Sequence, residues 1–134
     1  MPSVLVDSNV VLDLLVEKSD WFAWSYAALQ NASNQSRLVI NPVIYAEISA
    51  GYESIELVDG ALPPFFERES IPYEAAFLAG KIYAKYRKLG GTKTSPLPDF
   101  FIGAHAAVAG YRLLTRDTKR YRTYFPKLVL IAPD

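Results

Sequence analysis

Four carboxylates in this chain of 134 residues are placed where they can do chemistry together: Asp7, Glu47, Asp99 and Asp117. Asp7 directly follows the apolar run Val4-Leu5-Val6, and Glu47 lies in the segment opened by Asn41-Pro42. Asp99 follows Pro98, and Asp117 comes just after Leu113-Leu114. Carboxylates that share a cleft repel one another, so in an empty site some hold protons in place of ionising. A divalent cation removes that penalty, and an oxygen-only donor set favours Mg²⁺ or Mn²⁺ over zinc. One or two such ions can activate a water, orient a phosphodiester and stabilise charge on the leaving oxygen. Phosphodiester hydrolysis fits such a set.

The elements that must position these groups can be read from the pattern of apolar runs and punctuation. Val4-Leu5-Val6 reads as a short buried strand, and Asp7-Ser8-Asn9 as capping chemistry for a helix through Leu15. A second helix is expected from Trp21 to about Leu29, ended by the polar stretch from Asn31 to Ser36. Arg37 to Ile40 is the next strand, and Asn41-Pro42 opens a helix with a cap residue and a proline at its first position. A short helix broken at Leu62-Pro63-Pro64 and a weak strand at Arg68–Ile71 follow. Tyr73 to Leu89 reads as a long amphipathic helix stopped by Gly90-Gly91, and Thr92 to Pro98 as a loop. Pro98-Asp99 starts an alanine-rich helix ending at Gly110, followed by a strand at Arg112–Leu114, a turn at Thr115–Asp117 and a last strand at Leu128–Ile131. Strands that alternate with helices imply a parallel sheet covered on both faces, a three-layer α/β/α, Rossmann-like architecture in one domain spanning residues 1–134. Ligands bind such sheets at the carboxyl ends of the strands, where all four acids fall.

Each acid also has an ordinary explanation. Asp7 can be a helix N-cap, Glu47 a solvent-facing helical residue, Asp99 a favourable charge at a helix N-terminus, and Asp117 a turn residue. The argument for a site is their joint placement on one side of the sheet. Ser8 and Thr115 flank two of the acids and could bond a carboxylate or only cap and turn the chain. Asp13 could support Asp7 or face solvent. His105, the sole histidine, sits among alanines and is expected in the core, outside the site.

The composition bounds the partners. With half the residues hydrophobic and in short runs, the chain is expected to fold as a globular domain. No apolar stretch approaches the roughly 20 residues needed to cross a bilayer, and no signal peptide is expected at the N-terminus. The absence of cysteine rules out disulfides and thiolate metal sites and suits a cytoplasmic location. The net charge of zero conceals a polarity. Residues 1–80 carry three basic and eleven acidic residues, whereas residues 81–134 carry eleven basic and three acidic ones. The basic half invites a polyanion: Arg116 and Arg120 are candidate phosphate contacts, interleaved with Tyr111, Tyr121, Tyr124 and Phe125, which could stack on bases. The alternative is an ordinary solvated surface with aromatics packed beneath it.

The segments Val4-Leu5-Val6-Asp7-Ser8-Asn9, Ala46-Glu47-Ile48, Pro98-Asp99-Phe100-Phe101-Ile102-Gly103-Ala104-His105-Ala106 and Leu114-Thr115-Arg116-Asp117 together resemble a PIN domain, in particular the VapC toxins of type II toxin–antitoxin pairs. The resemblance runs from the first strand to the last, apart from residues 53–72. It implies a PIN fold and a Mg²⁺- or Mn²⁺-dependent endoribonuclease that inhibits translation by cutting RNA. It further implies a homodimer and neutralisation by a cognate VapB-like antitoxin. Asp7, Glu47, Asp99 and Asp117 match the acidic metal-binding positions of the family, and Thr115 matches the hydroxyl residue that accompanies the last acid. A haloacid dehalogenase-type phosphatase would need a second Asp where this chain has Asn9. A phosphoacceptor receiver domain would need an Asp at the end of the third strand, where this chain reads Ile71-Pro72-Tyr73. A PIN-like scaffold that only binds RNA or protein, without catalysis, remains the principal alternative.

Overall fold

The computed structural model describes residues 1–16, 18–91 and 97–133. Five parallel strands lie in the order β3-β2-β1-β4-β5: β1 is Val4–Val6, β2 Leu38–Ile40, β3 Phe66–Arg68, β4 Arg112–Leu114 and β5 Leu130–Ile131. The helices are α1 Ser8–Leu15, α2 Phe22–Ser33, α3 Pro42–Ser49, α4 Ile55–Ala61, α5 Tyr73–Lys88, α6 Leu97–Ala109 and α7 Lys119–Tyr124. This is the expected α/β architecture with a central parallel sheet. The three central strands are buried nearly throughout, as their unbroken apolar runs require. The chain fills the sheet outward from β1 to β3, then returns to the other side of β1 to lay down β4 and β5. The switch point lies between β1 and β4, so the residues that follow these two strands, Asp7 and Thr115, face the crevice where such sheets bind ligands. The same order places β3 at an edge, whereas a receiver domain pairs its third strand with its first. Among the described residues no helix is long and apolar enough to cross a membrane.

α1 and α3 begin at the expected caps, Asp7 and Asn41, and α4 begins at a cap not singled out from the sequence, Ser54. Asn41 Oδ1 accepts from Ile44 N at 2.9 Å with Pro42 at the first helical position, and Ser54 Oγ accepts from Leu57 N at 3.2 Å. Gly110 ends α6 with a left-handed φ of 73°. Departures occur where burial outweighs local composition. The second helix runs on to Ser33 through the expected stop at Asn31, because Leu29 and Ala32 lie on the core face and hold its last turns down. The third strand comes earlier than Arg68–Ile71: Phe66 is the one buried residue of the strand, and it pairs with Leu38. The last strand contracts to Leu130–Ile131, a half-buried edge. A short helix, α7, occupies a segment read as irregular, with Tyr121 driven into the core. Most of the loop expected at Thr92–Pro98 lies outside the described residues.

The position of α6 depends on a close approach at Gly103. A Cβ there would lie 2.5 Å from a ring carbon of Phe125, itself almost fully buried. Gly103→Ala must therefore displace a packed ring, and overpacking of this kind costs about 1–3 kcal/mol. Chemical denaturation is expected to show a loss of that size; an unchanged midpoint would mean the ring moves freely.

Candidate active site

Asp7 is both a helix cap and the centre of a buried polar cluster. Its backbone N–H donates to Leu114 O at 2.9 Å, which continues the β1–β4 ladder, and its Oδ1 accepts from Ser8 N at 2.8 Å at the start of α1. Its Oδ2 accepts from Thr115 Oγ1 at 2.8 Å and from Tyr121 OH at 3.0 Å. Only 3% of Asp7 is exposed, and Thr115 and Tyr121 are more deeply buried still. Asn9 braces the cluster: its Nδ2 approaches Thr115 Oγ1 at 3.3 Å, and its Oδ1 accepts from Arg116 N at 3.2 Å. The residue that disfavours a dehalogenase-type phosphatase is thus a strut between α1 and the β4 loop.

Glu47 and Asp99 approach this cluster from two further helices. Ser8 Oγ donates to Glu47 Oε1 at 2.8 Å, which ties α3 to the start of α1. The relation between α3 and α6 is fixed by Asn41, whose Oδ1 caps α3 while its Nδ2 lies 3.0 Å from His105 Nδ1 on α6. Because the amide nitrogen can only donate, Nδ1 of the ring accepts, and the proton of the neutral imidazole sits on Nε2, facing Glu69 Oε1 at 3.7 Å. Burial holds the His105 pKa below its usual value, in opposition to Glu69. His105 is thus a core residue, as its alanine surroundings suggested, and it acts by locking together the helices that carry Glu47 and Asp99.

The other expected site residues are placed less centrally. Asp117 is exposed, and among the described residues its carboxylate makes no hydrogen bond or ion pair; only its backbone joins the cluster, with N donating to Thr115 Oγ1 at 3.1 Å. Arg116 turns away from any substrate face. Its Nε and Nη2 bind Asp13 at 2.6 and 3.1 Å, and its guanidinium lies over the ring of Trp21 at 5.1 Å. Asp13 is buried rather than facing solvent, and it also accepts from Ser19 Oγ and Ser25 Oγ. Arg120 remains at the cleft, with Nη1 2.5 Å from Asp99 Oδ2. The aromatics suggested as base-stacking partners are packed inward: Tyr121 on Asp7, Tyr124 against Phe100 and Tyr86, and Tyr111 on Glu69. Tyr121 and Asn9 are the site residues that motif reasoning passed over. The available signal was the spacing of Tyr121, Tyr124 and Phe125, a helical apolar stripe inside a basic segment.

The sequence pattern of the PIN domain family matches residues 4–126, from the first residue of β1 to just beyond α7. This chain belongs to the PIN domain family. None of the curated protein sequences matches it, but solved structures share the fold. A VapBC2 complex from Rickettsia felis bound to a fragment of its promoter DNA has a TM-score of 0.74 at 19% identity, over 98% of each chain. A toxin–antitoxin complex from Klebsiella pneumoniae has a TM-score of 0.70 at 21% identity, again over 98% of each chain. VapC20 of Mycobacterium tuberculosis, a toxin that cleaves the sarcin–ricin loop, has a TM-score of 0.65 at 11% identity, over 90% of this chain and 95% of that one.

The electrostatics of this PIN domain site follow from crowding and burial. Removal from water pushes the Asp7 pKa up to about 6; bonds from Thr115, Tyr121 and Ser8 pull it down, and the nearby charge of Asp99 adds to the rise. Desolvation therefore outweighs three hydrogen bonds. Glu47 is raised as well, by burial first and then by Asp99 against the bond from Ser8. Asp99 thus lies close enough to disturb both acids. As placed, no three His, Cys, Asp or Glu side chains among the described residues form a group that could hold a metal ion. The donor chemistry nonetheless fits a hard divalent cation: Asp7, Glu47 and Asp99 offer oxygen only, and burial together with the charge of Asp99 makes Asp7 and Glu47 harder to ionise without a counter-charge.

A raised pKa at Asp7 fixes a sign. The folded state holds the proton more tightly than the unfolded chain, so Asp7 favours folding below its ordinary 3.8, and that contribution is lost as pH rises through about 6. Above that pH the ionised group costs about 3 kcal/mol. Asp7→Asn keeps an acceptor for Ser8 N and lets the two hydroxyls turn, so metal-free Asp7→Asn is expected to unfold at a higher temperature than wild type at pH 7.5. The gap should close below pH 4; a parallel pair of stability–pH curves would show that burial does not perturb Asp7. The two arginines should also separate. Arg116→Ala strands buried Asp13 with only serines for company and is expected to cost about 2–3 kcal/mol. Arg120→Ala breaks a part-exposed pair worth under about 1 kcal/mol. Urea denaturation of the two variants, with equal losses as the contrary outcome, checks this.

Proposed function

We propose that this PIN domain is a VapC-like endoribonuclease, a toxin that hydrolyses RNA phosphodiesters with the help of Mg²⁺ or Mn²⁺ and so inhibits translation. The observation that carries the reading is the approach of Asp7, Glu47 and Asp99 to one another at the β1–β4 switch point, where burial and the charge of Asp99 raise the proton affinity of both Asp7 and Glu47. In this reading Asp7, Glu47 and Asp99 hold the cation, Asp117 joins them from the β4 loop, and the Thr115 hydroxyl fixes the orientation of Asp7. When bound, the cation supplies Lewis-acid polarisation of the phosphodiester and activation of water.

The chain's own groups do the remaining work. Thr115 and Tyr121 hold Oδ2 of Asp7, and Ser8 holds Glu47, so these two acids are oriented before a cation arrives, whereas Asp99 is paired with Arg120. Arg120 is the cation at the cleft suited to a substrate phosphate, whereas Arg116 is committed to Asp13. Exposed Lys119 and Arg122 on α7, and Lys127 beyond it, extend the positive surface along which a polyanion can be drawn in. The VapBC complexes whose fold this chain shares support a VapB-like antitoxin as the neutralising partner; a homodimeric assembly and a cytoplasmic location complete the reading on the family resemblance and the lack of cysteine.

A PIN-like scaffold that only binds would keep the fold and lack the chemistry, and metal-dependent cleavage separates the two. Purified protein is expected to cut RNA in the presence of Mg²⁺ or Mn²⁺ and to stop on addition of EDTA. Asp7→Asn should lower the rate by two orders of magnitude or more, roughly the loss of one preorganised charge-stabilising group, while circular dichroism shows an intact fold. Cleavage that survives chelation or the substitution would overturn the mechanism.

A further inference from the structure

Among the described cations near the acidic cleft, only Arg120 touches Asp7, Glu47 or Asp99. Nη1 meets Asp99 Oδ2 at 2.5 Å in a single contact, with the Arg120 side chain 36% exposed. The backbone that carries it does not wander, because the next residue, Tyr121, is buried and bonded to Asp7. What can move is the side chain itself. Arg116 offers the contrast: two nitrogens on a buried carboxylate and a guanidinium over Trp21 leave it nowhere to go. Asp99 meanwhile stands near enough to Asp7 and Glu47 for its charge to act on both, yet the three do not form a group able to hold a metal ion. One of the three is already paired.

We infer that Arg120 is a resident counter-cation that competes with the divalent cation for Asp99, and that loading of the cleft displaces its guanidinium. The inference rests on the nuclease reading of this cleft. A monodentate, part-exposed ion pair shifts an equilibrium by no more than about fivefold, so the pair can tax cation binding without preventing it. In the empty protein Arg120 relieves part of the repulsion among the acids. Once a divalent ion takes over that task, the freed guanidinium is available to a phosphate on the cleft's rim. Exchange of this kind makes the substrate contact conditional on a loaded site, a coupling in which each ligand pays for what the other releases.

Two measurements on the full chain without RNA test this. Electron paramagnetic resonance of free Mn²⁺ is expected to show Arg120→Gln binding the ion roughly two- to fivefold more tightly than wild type. In ¹⁵N-arginine-labelled protein, the Arg120 Nε–H signal, assigned by its loss in Arg120→Gln, should shift as Mg²⁺ is added, with a midpoint matching Mg²⁺ binding; the Arg116 signal should stay still. Equal Mn²⁺ affinities, or an Arg120 signal that ignores Mg²⁺ while affinity changes, would overturn the exchange, the latter because it leaves only repulsion through space. Metal-dependent RNA cleavage without these effects would remove the exchange and leave the nuclease. Exchange without cleavage would do the reverse.

Discussion

The carboxylate of Asp7 is taken out of water at the carboxyl end of the central strand, and the polar architecture around the switch point answers to that burial. An isolated carboxylate in such a place would be prohibitive. Here it collects a backbone N–H from the start of α1, a hydroxyl from the residue after β4 and a phenol from α7, so segments from the two ends of the chain are pinned to one side chain. Even so the burial term wins, and the proton affinity of Asp7 ends near neutrality. The surrounding core, with Val4, Leu5, Val6, Leu113 and Leu114 all fully buried, supplies the stability that tolerates this strain. A site that is uncomfortable without a counter-charge is a site prepared for one.

Around Asp7 the remaining contacts form a hierarchy of rigidity. Asn41 and His105 fix α3 against α6, Ser8 fixes Glu47 against α1, and Arg116 with Asp13 fixes the β4 loop against α1. The first of these contacts is buried and the other two are part-buried, and each joins a helix bearing an acid to its neighbour. The Arg120–Asp99 pair is the more exposed of the two arginine–carboxylate pairs at this seam. Specificity of position thus resides in the buried links, and freedom of movement is confined to the rim. That distribution suits a cleft that must admit a polymer without losing the registry of its acids.

The sequence disclosed what local chemistry dictates. Central strands read as unbroken apolar runs because both faces are covered; the caps at Asp7 and Asn41 and the stop at Gly110 are set by backbone groups within a few residues. Positions that depend on distant partners were opaque. β3 buries one side chain, so no alternation marks it, and its register comes from β2. The spacing of Tyr121, Tyr124 and Phe125 can mark α7 as a helix, but Tyr121 matters to the site only because a strand from the other end of the chain delivers Asp7 to its hydroxyl. Arg116 and Arg120 look alike in the sequence, two arginines of one basic segment; the difference is that Asp13, with two serines, waits behind one and Asp99 stands in front of the other.

The charge polarity of the chain acquires a physical meaning at the same seam. The acidic half contributes Asp7, Asp13 and Glu47, and the basic half closes over them with Arg116, Arg120 and α7. A cluster of acids by itself repels a polyanion, so hydrolysis of a phosphodiester at such a place needs positive charge within reach of the same cleft. Folding supplies it by packing α7 against the carboxylates, with Tyr121 as the anchor and the cations flanking it. Neutralising every one of them internally would leave nothing for the substrate, and neutralising none would leave the acids unheld. Arg116 holds an acid permanently, the exposed Lys119 and Arg122 are left for the substrate, and Arg120 stands between the two.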